Sequence, residues 1–141
     1  MIRKFKQTDL DQVLAIWLTA SIEAHSFIEP EFWEAKVSDM RDVYIPASET
    51  FVWEHEDKIA GFYSLCGDTL AAIFVDIALQ GKGLGTALLD DARSRRDSLQ
   101  LSVYKENVSS LKFYEKYGFT SLGEQVDEHT GHIELIMRYD S

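Results

Sequence analysis

Seven consecutive residues, Gln80-Gly81-Lys82-Gly83-Leu84-Gly85-Thr86, place three glycines and a lysine between an apolar run and an amphipathic stretch. Backbone N–H groups that no side chain shields, at the positive end of a helix dipole and beside the Lys82 ammonium, form an anion site suited to a pyrophosphate. Two other phosphate-binding patterns do not fit. A nucleoside-triphosphate loop needs Gly-Lys followed by Ser or Thr, but Gly83 follows Lys82; in G-x-G-x-x-G counted from Gly81, Thr86 stands where the third glycine belongs. On spacing alone the glycines could equally serve only a tight turn.

A second chemical stretch runs from Asn107 to Phe119 and carries Tyr114 within Phe113-Tyr114-Glu115-Lys116-Tyr117-Gly118. A phenol near pKa 10 can donate a hydrogen bond to a developing anion, although on spacing alone Tyr114 reads as a core aromatic. Glu23, His25, Glu54, Asp68 and Asp76 are the ionisable groups in segments that could border such a site, and each could act as a base. Phe27 and Trp33 present aromatic faces that attract cations, but packing is the alternative reading for both.

These residues need elements to position them. A strand is predicted at residues 2–6, then a helix capped by Thr8 and running to about residue 24, because Leu10, Val13, Leu14, Trp17 and Ser21 share one face. Pro30 opens a second helix over 30–44, which Pro46 and Ala47-Ser48-Glu49 end. Residues 50–54 and 59–65 are β-rich runs around the turn Glu56-Asp57-Lys58, a hairpin pattern. The apolar run Leu70–Val75 suits a strand buried on both faces. A helix follows the glycine segment to about Arg96, with Leu84, Ala87, Leu88 and Ala92 inward; then come a strand at Leu99–Val103 and a helix over about 108–117 closed by Gly118. Strands at 119–126 and 132–139 complete a β-α-α-β-β-β-α-β-α-β-β order.

The 141 residues suit one domain, 1–141, of the α/β (α+β) class. A net charge of −10 disfavours nucleic acid and anionic lipid as partners. The charge is uneven: residues 82–116 hold seven Lys/Arg and five Asp/Glu, leaving −12 on the rest. No apolar stretch is long enough to span a membrane and the first residues lack a secretion signal, so a cytoplasmic protein is expected. The single cysteine, Cys66, is expected as a small buried hydrophobe, and no Cys or His cluster suggests a metal.

Two motifs together resemble the GNAT superfamily of acetyl-CoA-dependent N-acetyltransferases. Gln80, Gly83 and Gly85 meet its Q/R-x-x-G-x-G/A signature, and Asn107 to Phe119 is similar to its N-x-x-A-x-x-F-Y-x-x-x-G-F segment, with Ser110 at the usual alanine. The resemblance implies a mixed sheet of about seven strands, splayed after the fourth, with CoA held in the resulting cleft. Pantetheine would pair with backbone of Ile73, Phe74 and Val75, and the pyrophosphate with N–H groups of Gly81, Lys82, Gly83, Leu84, Gly85 and Thr86 beside Gln80. Asn107 would contact the pantetheine arm, a backbone N–H at a bulge around Phe74 would polarise the carbonyl, and Tyr114 would act as the acid toward sulfur.

The function implied is direct transfer of acetyl from acetyl-CoA, without a metal, to a primary amine on a cationic partner, such as a protein lysine or N-terminus. Glu23, His25, Phe27 and Trp33 would border the acceptor, with Glu29, Glu31, Glu34, Asp127 and Glu128 as an acidic rim. A small amine or polyamine acceptor is the alternative. Acyl transfer to a hydroxyl, transfer of a longer acyl group, and a non-catalytic CoA-binding sensor or interaction module remain open as well. Oligomeric state is not legible.

Overall fold

A computed structural model describes residues 1–141. Its sheet has seven strands in the order β1-β2-β3-β4-β5-β7-β6. They are β1 (Ile2–Lys4), β2 (Glu49–His55), β3 (Lys58–Cys66), β4 (Thr69–Val75), β5 (Ser98–Tyr104), β6 (Thr120–Val126) and β7 (Ile133–Asp140). The helices are α1 (Leu10–Ala24), α2 (Pro30–Asp39), the single turn α3 (Ile45–Ala47), α4 (Leu84–Arg95) and α5 (Val108–Lys116). The α/β class and the element order agree with the sequence reading. No helix is long and apolar enough to cross a membrane.

Strand alternation creates two cores, because successive side chains leave opposite faces of the sheet. Phe51 of β2 and Tyr63 of β3 join Leu88, Leu89 and Ala92 of α4, with Leu111 and Phe113 of α5 packed alongside. Their neighbours Val52 and Phe62 join Val13, Trp17 and Trp33 on the other face. Phe62 and Tyr63 are both 0% exposed, and burying a phenylalanine contributes roughly 1.5–3 kcal/mol relative to leaving it in water. Gly61 sets how closely β3 approaches its neighbours: a Cβ there would lie 2.8 Å from the Phe74 carbonyl oxygen and 3.1 Å from Leu88 Cδ1. The hairpin between β2 and β3 turns through Glu56 and Asp57, both with positive φ, which matches the twist of the flanking strands.

Several local expectations are corrected. The first strand stops at Lys4, and Thr8 does not cap α1. Asp9 organises that corner instead, accepting the Lys6 N–H at 2.8 Å and both terminal nitrogens of Arg3. Arg3 thereby holds the Asp9 carboxyl below the usual carboxylate range. The second helix is α-helical only to Asp39; a π turn over Met40–Tyr44 follows, and Pro46 lies inside α3 rather than beyond it. A first helical turn tolerates proline because its N–H has no intrahelical partner. Cys66 is exposed, since it ends β3 where the chain turns into solvent at Gly67-Asp68.

The strand that matters most for the site also departs from its reading. β4 pairs with β3 along its length but meets the parallel strand β5 only at Thr69↔Gln100. β5 pairs with β7 from Ser98 to Tyr104. The sheet therefore opens between β4 and β5. Ala71 is exposed and Ala72, Ile73 and Phe74 are half-buried, rather than covered on both faces, because no element fills the opening.

Candidate active site

A cavity of about 480 Å³ occupies this opening. Leu70–Val75 of β4 form one wall and Leu101–Tyr104 of β5 the other. Gln80 lies along it, Tyr114 of α5 contributes to the lining, and Glu23, His25, Asn107 and Glu134 add further polar side chains. Beyond Thr69, β4 has no strand partner on the β5 side, so its backbone donors and acceptors there are free for an extended ligand.

The glycine segment folds as the residue types dictate. Gly81 and Gly83 have φ of 82° and 83°, a region that only glycine enters without strain. A Cβ at either would meet nothing within 4 Å, so backbone conformation and an open approach, rather than packing, call for glycine at both. Gly83 is the residue before α4, and N–H groups in a helix's first turn have no intrahelical acceptor. Gln80 anchors the segment to the end of β4 by donating from Nε2 to the Val75 carbonyl at 3.2 Å. The Thr86 and Tyr117 hydroxyls, 3.0 Å apart, tie α4 to the end of α5. Gln80 thus joins the cavity to a helix N-terminus able to receive a pyrophosphate. Gly81 to Thr86 themselves adjoin the cavity through Gln80 rather than line it.

Of the other residues singled out from the sequence, Ile73, Phe74, Val75, Asn107, Tyr114, Glu23 and His25 line the cavity. Burial raises the Tyr114 phenol above its ordinary value, with no hydrogen-bond partner contributing to the shift. A phenol held neutral in this way is a donor. Asn107 is 7% exposed and works in two directions. Its Oδ1 accepts the Ser110 N–H at 3.3 Å and caps α5, while its Nδ2 faces His25 Nε2 at 3.4 Å.

His25 stacks on Trp33 with ring centroids 5.0 Å apart and meets Tyr104 edge-on at 5.1 Å. Burial pushes its pKa down to about 4, and the nearby Ser21 carbonyl opposes this only in part. The ring is therefore neutral at physiological pH. Phe27 and Trp33 do not line the cavity: Trp33 is a core residue behind His25, and Phe27 packs between His25, Tyr104 and His132.

The remaining base candidates lie elsewhere. Glu54 pairs with Arg3, Asp68 sits beside Arg96 in the β3–β4 turn, and Asp76 caps a short turn through the Ala78 N–H. The bulge expected around Phe74 is also displaced. Phe74 stays in register with Phe62, and the irregularity falls between Ser64↔Ala72 and Leu65↔Leu70, leaving Ala71 as the extra residue. Tyr104 and Glu134, which the sequence reading did not select, both line the cavity. Only their cross-strand pairing brings them there, and nothing in their local sequence marks it.

The family model described as "Acetyltransferase (GNAT) domain" matches residues 15–139. The peptidyl-lysine N-acetyltransferase YiaC of Escherichia coli (strain K12) is 34% identical over 120 residues, covering 84% of this chain and 82% of YiaC. YjaB of the same strain, also named a peptidyl-lysine N-acetyltransferase, is 29% identical over 129 residues, 90% of this chain and 87% of YjaB. The solution structure of apo-form YjaB matches with a TM-score of 0.87 at 27% identity, over 99% of this chain and 96% of that one. PaiA N-acetyltransferase from Thermoplasma acidophilum, solved in complex with coenzyme A, shares the fold at a TM-score of 0.84 and 18% identity, over 100% and 98% of the two chains. With an opened β4–β5 seam, a glycine segment leading into α4 and a family match over nearly its whole length, this chain belongs to the GNAT acetyltransferases, enzymes that transfer an acyl group to an amine.

Proposed function

We propose that the protein moves the acetyl group of acetyl-CoA directly onto a primary amine of another protein, a lysine side chain or an N-terminus. The observation that carries this reading is the continuity of the β4–β5 cleft. Gln80 and Tyr114 line the same cavity as His25 and Glu23 at the end of α1. N–H groups of Gly81 to Thr86 would hold the pyrophosphate, and the unpaired edge of Ile73, Phe74 and Val75 the pantetheine, with Asn107 alongside. The names of YiaC and YjaB supply the acceptor class.

The bound cosubstrate supplies an activated acetyl thioester; the chain supplies the rest. A backbone N–H on the open edge of β4 polarises the carbonyl, a contribution that elsewhere amounts to roughly 3 kcal/mol per donor. Tyr114 donates to the departing sulfur. A phenol near pKa 10 is a weaker acid than a thiol near 8.5, so its help is a hydrogen bond held through the transition state rather than a completed transfer. A lysine acceptor arrives as an ammonium, of which only about one in two thousand is neutral at pH 7. The exposed carboxylates of Glu23, Glu29, Glu31 and Glu34 near the α1–α2 connection suit a cationic partner.

The test is thiol release from acetyl-CoA with a lysine-containing peptide, matched by one added acetyl group per thiol on that peptide. Turnover with polyamines but with no peptide would move the acceptor to small molecules. No thiol release with any amine would overturn the reading.

A further inference from the structure

The acceptor ammonium must lose a proton before it can attack, and we infer that the Glu134 carboxylate, set beside Tyr104 on the cavity wall, is the group that takes it. This rests on the acetyl-transfer reading above and names the base for it. Glu134 lies in β7 directly across from Tyr104 of β5; cross-strand partners project from the same face of the sheet. Both line the cavity, and the Tyr104 ring meets His25 at 5.1 Å. Glu134, Tyr104 and His25 thus form a continuous wall from β7 to the end of α1.

The alternatives on that wall are unsuited to the task. His25 has a low proton affinity because of its burial, with Nε2 facing the Asn107 amide. Tyr104 donates its hydroxyl to Asp127, and Asp127 also accepts from the His129 N–H and the Thr130 hydroxyl. Glu23 is exposed to solvent. Glu134 has one oxygen, Oε1, accepting from Gln125 Nε2 at 3.1 Å, and no protein donor on Oε2.

The charges packed around it favour proton uptake. Asp127 lies in the β6–β7 turn, Lys105 beyond β5 is taken by Glu124 at 3.1 Å, and His132 faces Glu106 at 3.4 Å. Burial and the Asp127 charge raise the Glu134 carboxyl above its ordinary range, against the pull of the Gln125 amide. Burial also disfavours an ammonium–carboxylate pair relative to the neutral amine and acid, which narrows the gap between donor and acceptor from both sides.

The protons balance. The ammonium gives one to Glu134; the neutral nitrogen forms the C–N bond while the C–S bond breaks and Tyr114 holds its hydrogen bond to the sulfur; the second proton leaves nitrogen for solvent as the amide forms, and the released thiolate takes one up from solvent. Glu134 returns its proton to solvent, so each turnover yields amide, free thiol and one proton.

Glu134→Gln keeps the shape and the contact with Gln125 while removing the basic oxygen. At pH 7 we expect kcat/KM for the peptide to fall by about 100-fold or more, the size of a general-base contribution, with the KM for acetyl-CoA and the melting temperature unchanged. Between pH 7 and pH 10 the deficit should shrink to less than about tenfold, because the amine then deprotonates unaided. Glu134→Asp should recover part of the rate, and the acid limb that Glu134 sets in the wild-type kcat/KM profile should give way in the Gln variant to a rise that continues toward the pKa of the amine itself. A rate within about twofold of wild type at pH 7, or a deficit that stays constant to pH 10, would overturn the assignment and leave acetyl transfer standing. A wild-type protein that releases no thiol with any amine would overturn acetyl transfer, and this inference with it.

Discussion

Between β3 and β4 every residue from Gly61 to Cys66 finds a partner across the seam, whereas between β4 and β5 the single pair Thr69 and Gln100 holds the strands together. The two seams share β4, so strand composition does not distinguish them. The closed one is sealed by ladder hydrogen bonds and by α4, which Gly61 admits to close contact through Leu88. The open one has no ladder beyond Thr69, and Asn107 and Tyr114 stand among the side chains that line it. One edge of β4 thus contributes stability, while the other keeps backbone groups and apolar side chains available for a ligand.

Substitutions on the two sides should therefore separate into losses of turnover and losses of stability. Tyr114→Phe keeps the ring that packs α5 and removes only the hydroxyl, so the open seam should bind CoA as before. Steady-state kinetics at saturating acetyl-CoA should show turnover reduced by a factor on the order of 10 to 1000. Unchanged turnover would make Tyr114 a packing residue.

His25 provides a pH-dependent counterpart at the acceptor end. Its folded pKa of about 4 lies below the unfolded value of 6.5, so the unfolded chain binds the proton more readily between these limits. Its contribution to stability is complete above about pH 6.5 and is lost as pH falls toward 4, up to roughly 3 kcal/mol. Urea melts across that range should show a slope that His25→Leu removes. The Asp9 carboxyl, held low by Arg3, acts in a lower window, since its contribution is lost only as pH falls below the ordinary carboxylate value.

Gly61→Ala strikes the closed seam. A Cβ 2.8 Å from a backbone oxygen forces a shift of β4 or α4, at a cost of about 1–3 kcal/mol by analogy with overpacked cores. Denaturant unfolding should register that loss. Gly83→Val strikes the open one: a Cβ there meets no atom within 4 Å, yet φ of 83° is wrong for a β-branched residue. CoA affinity should fall by about tenfold or more, seen as loss of the melting-temperature rise that CoA gives the wild type. A preserved rise would remove the phosphate role from this segment.

Salt should produce the smallest effect. If the exposed carboxylates near the acceptor end steer cationic peptides, kcat/KM for a basic peptide should drop several-fold as the Debye length shrinks to about 8 Å at 0.15 M salt. An acidic peptide of equal length should show no such drop. Equal, salt-independent rates would assign that charge to solubility alone.

The sequence by itself determined the features that are local in the chain. Gln80 to Thr86 and Asn107 to Phe119 are contiguous, so their glycines, helix ends and aromatic spacing carry their physical meaning without reference to anything distant. The periodicities of α1, α4 and the β2–β3 hairpin are likewise short-range and read correctly to within a few residues. Tertiary structure alone decided what depends on register and on where the sheet parts. Leu70–Val75 looks like any strand buried on both faces until β5 is seen to leave it after one pair. Cys66 is apolar enough to bury, but exposed because of where its strand ends. Trp33 and His25 are close in sequence and in contact, yet His25 lines the cavity and Trp33 lies in the core behind it. Glu134 reaches the cavity because an antiparallel register sets it across from Tyr104. A shift of one residue would turn it to the opposite face of the sheet, and nothing local to either strand specifies that pairing.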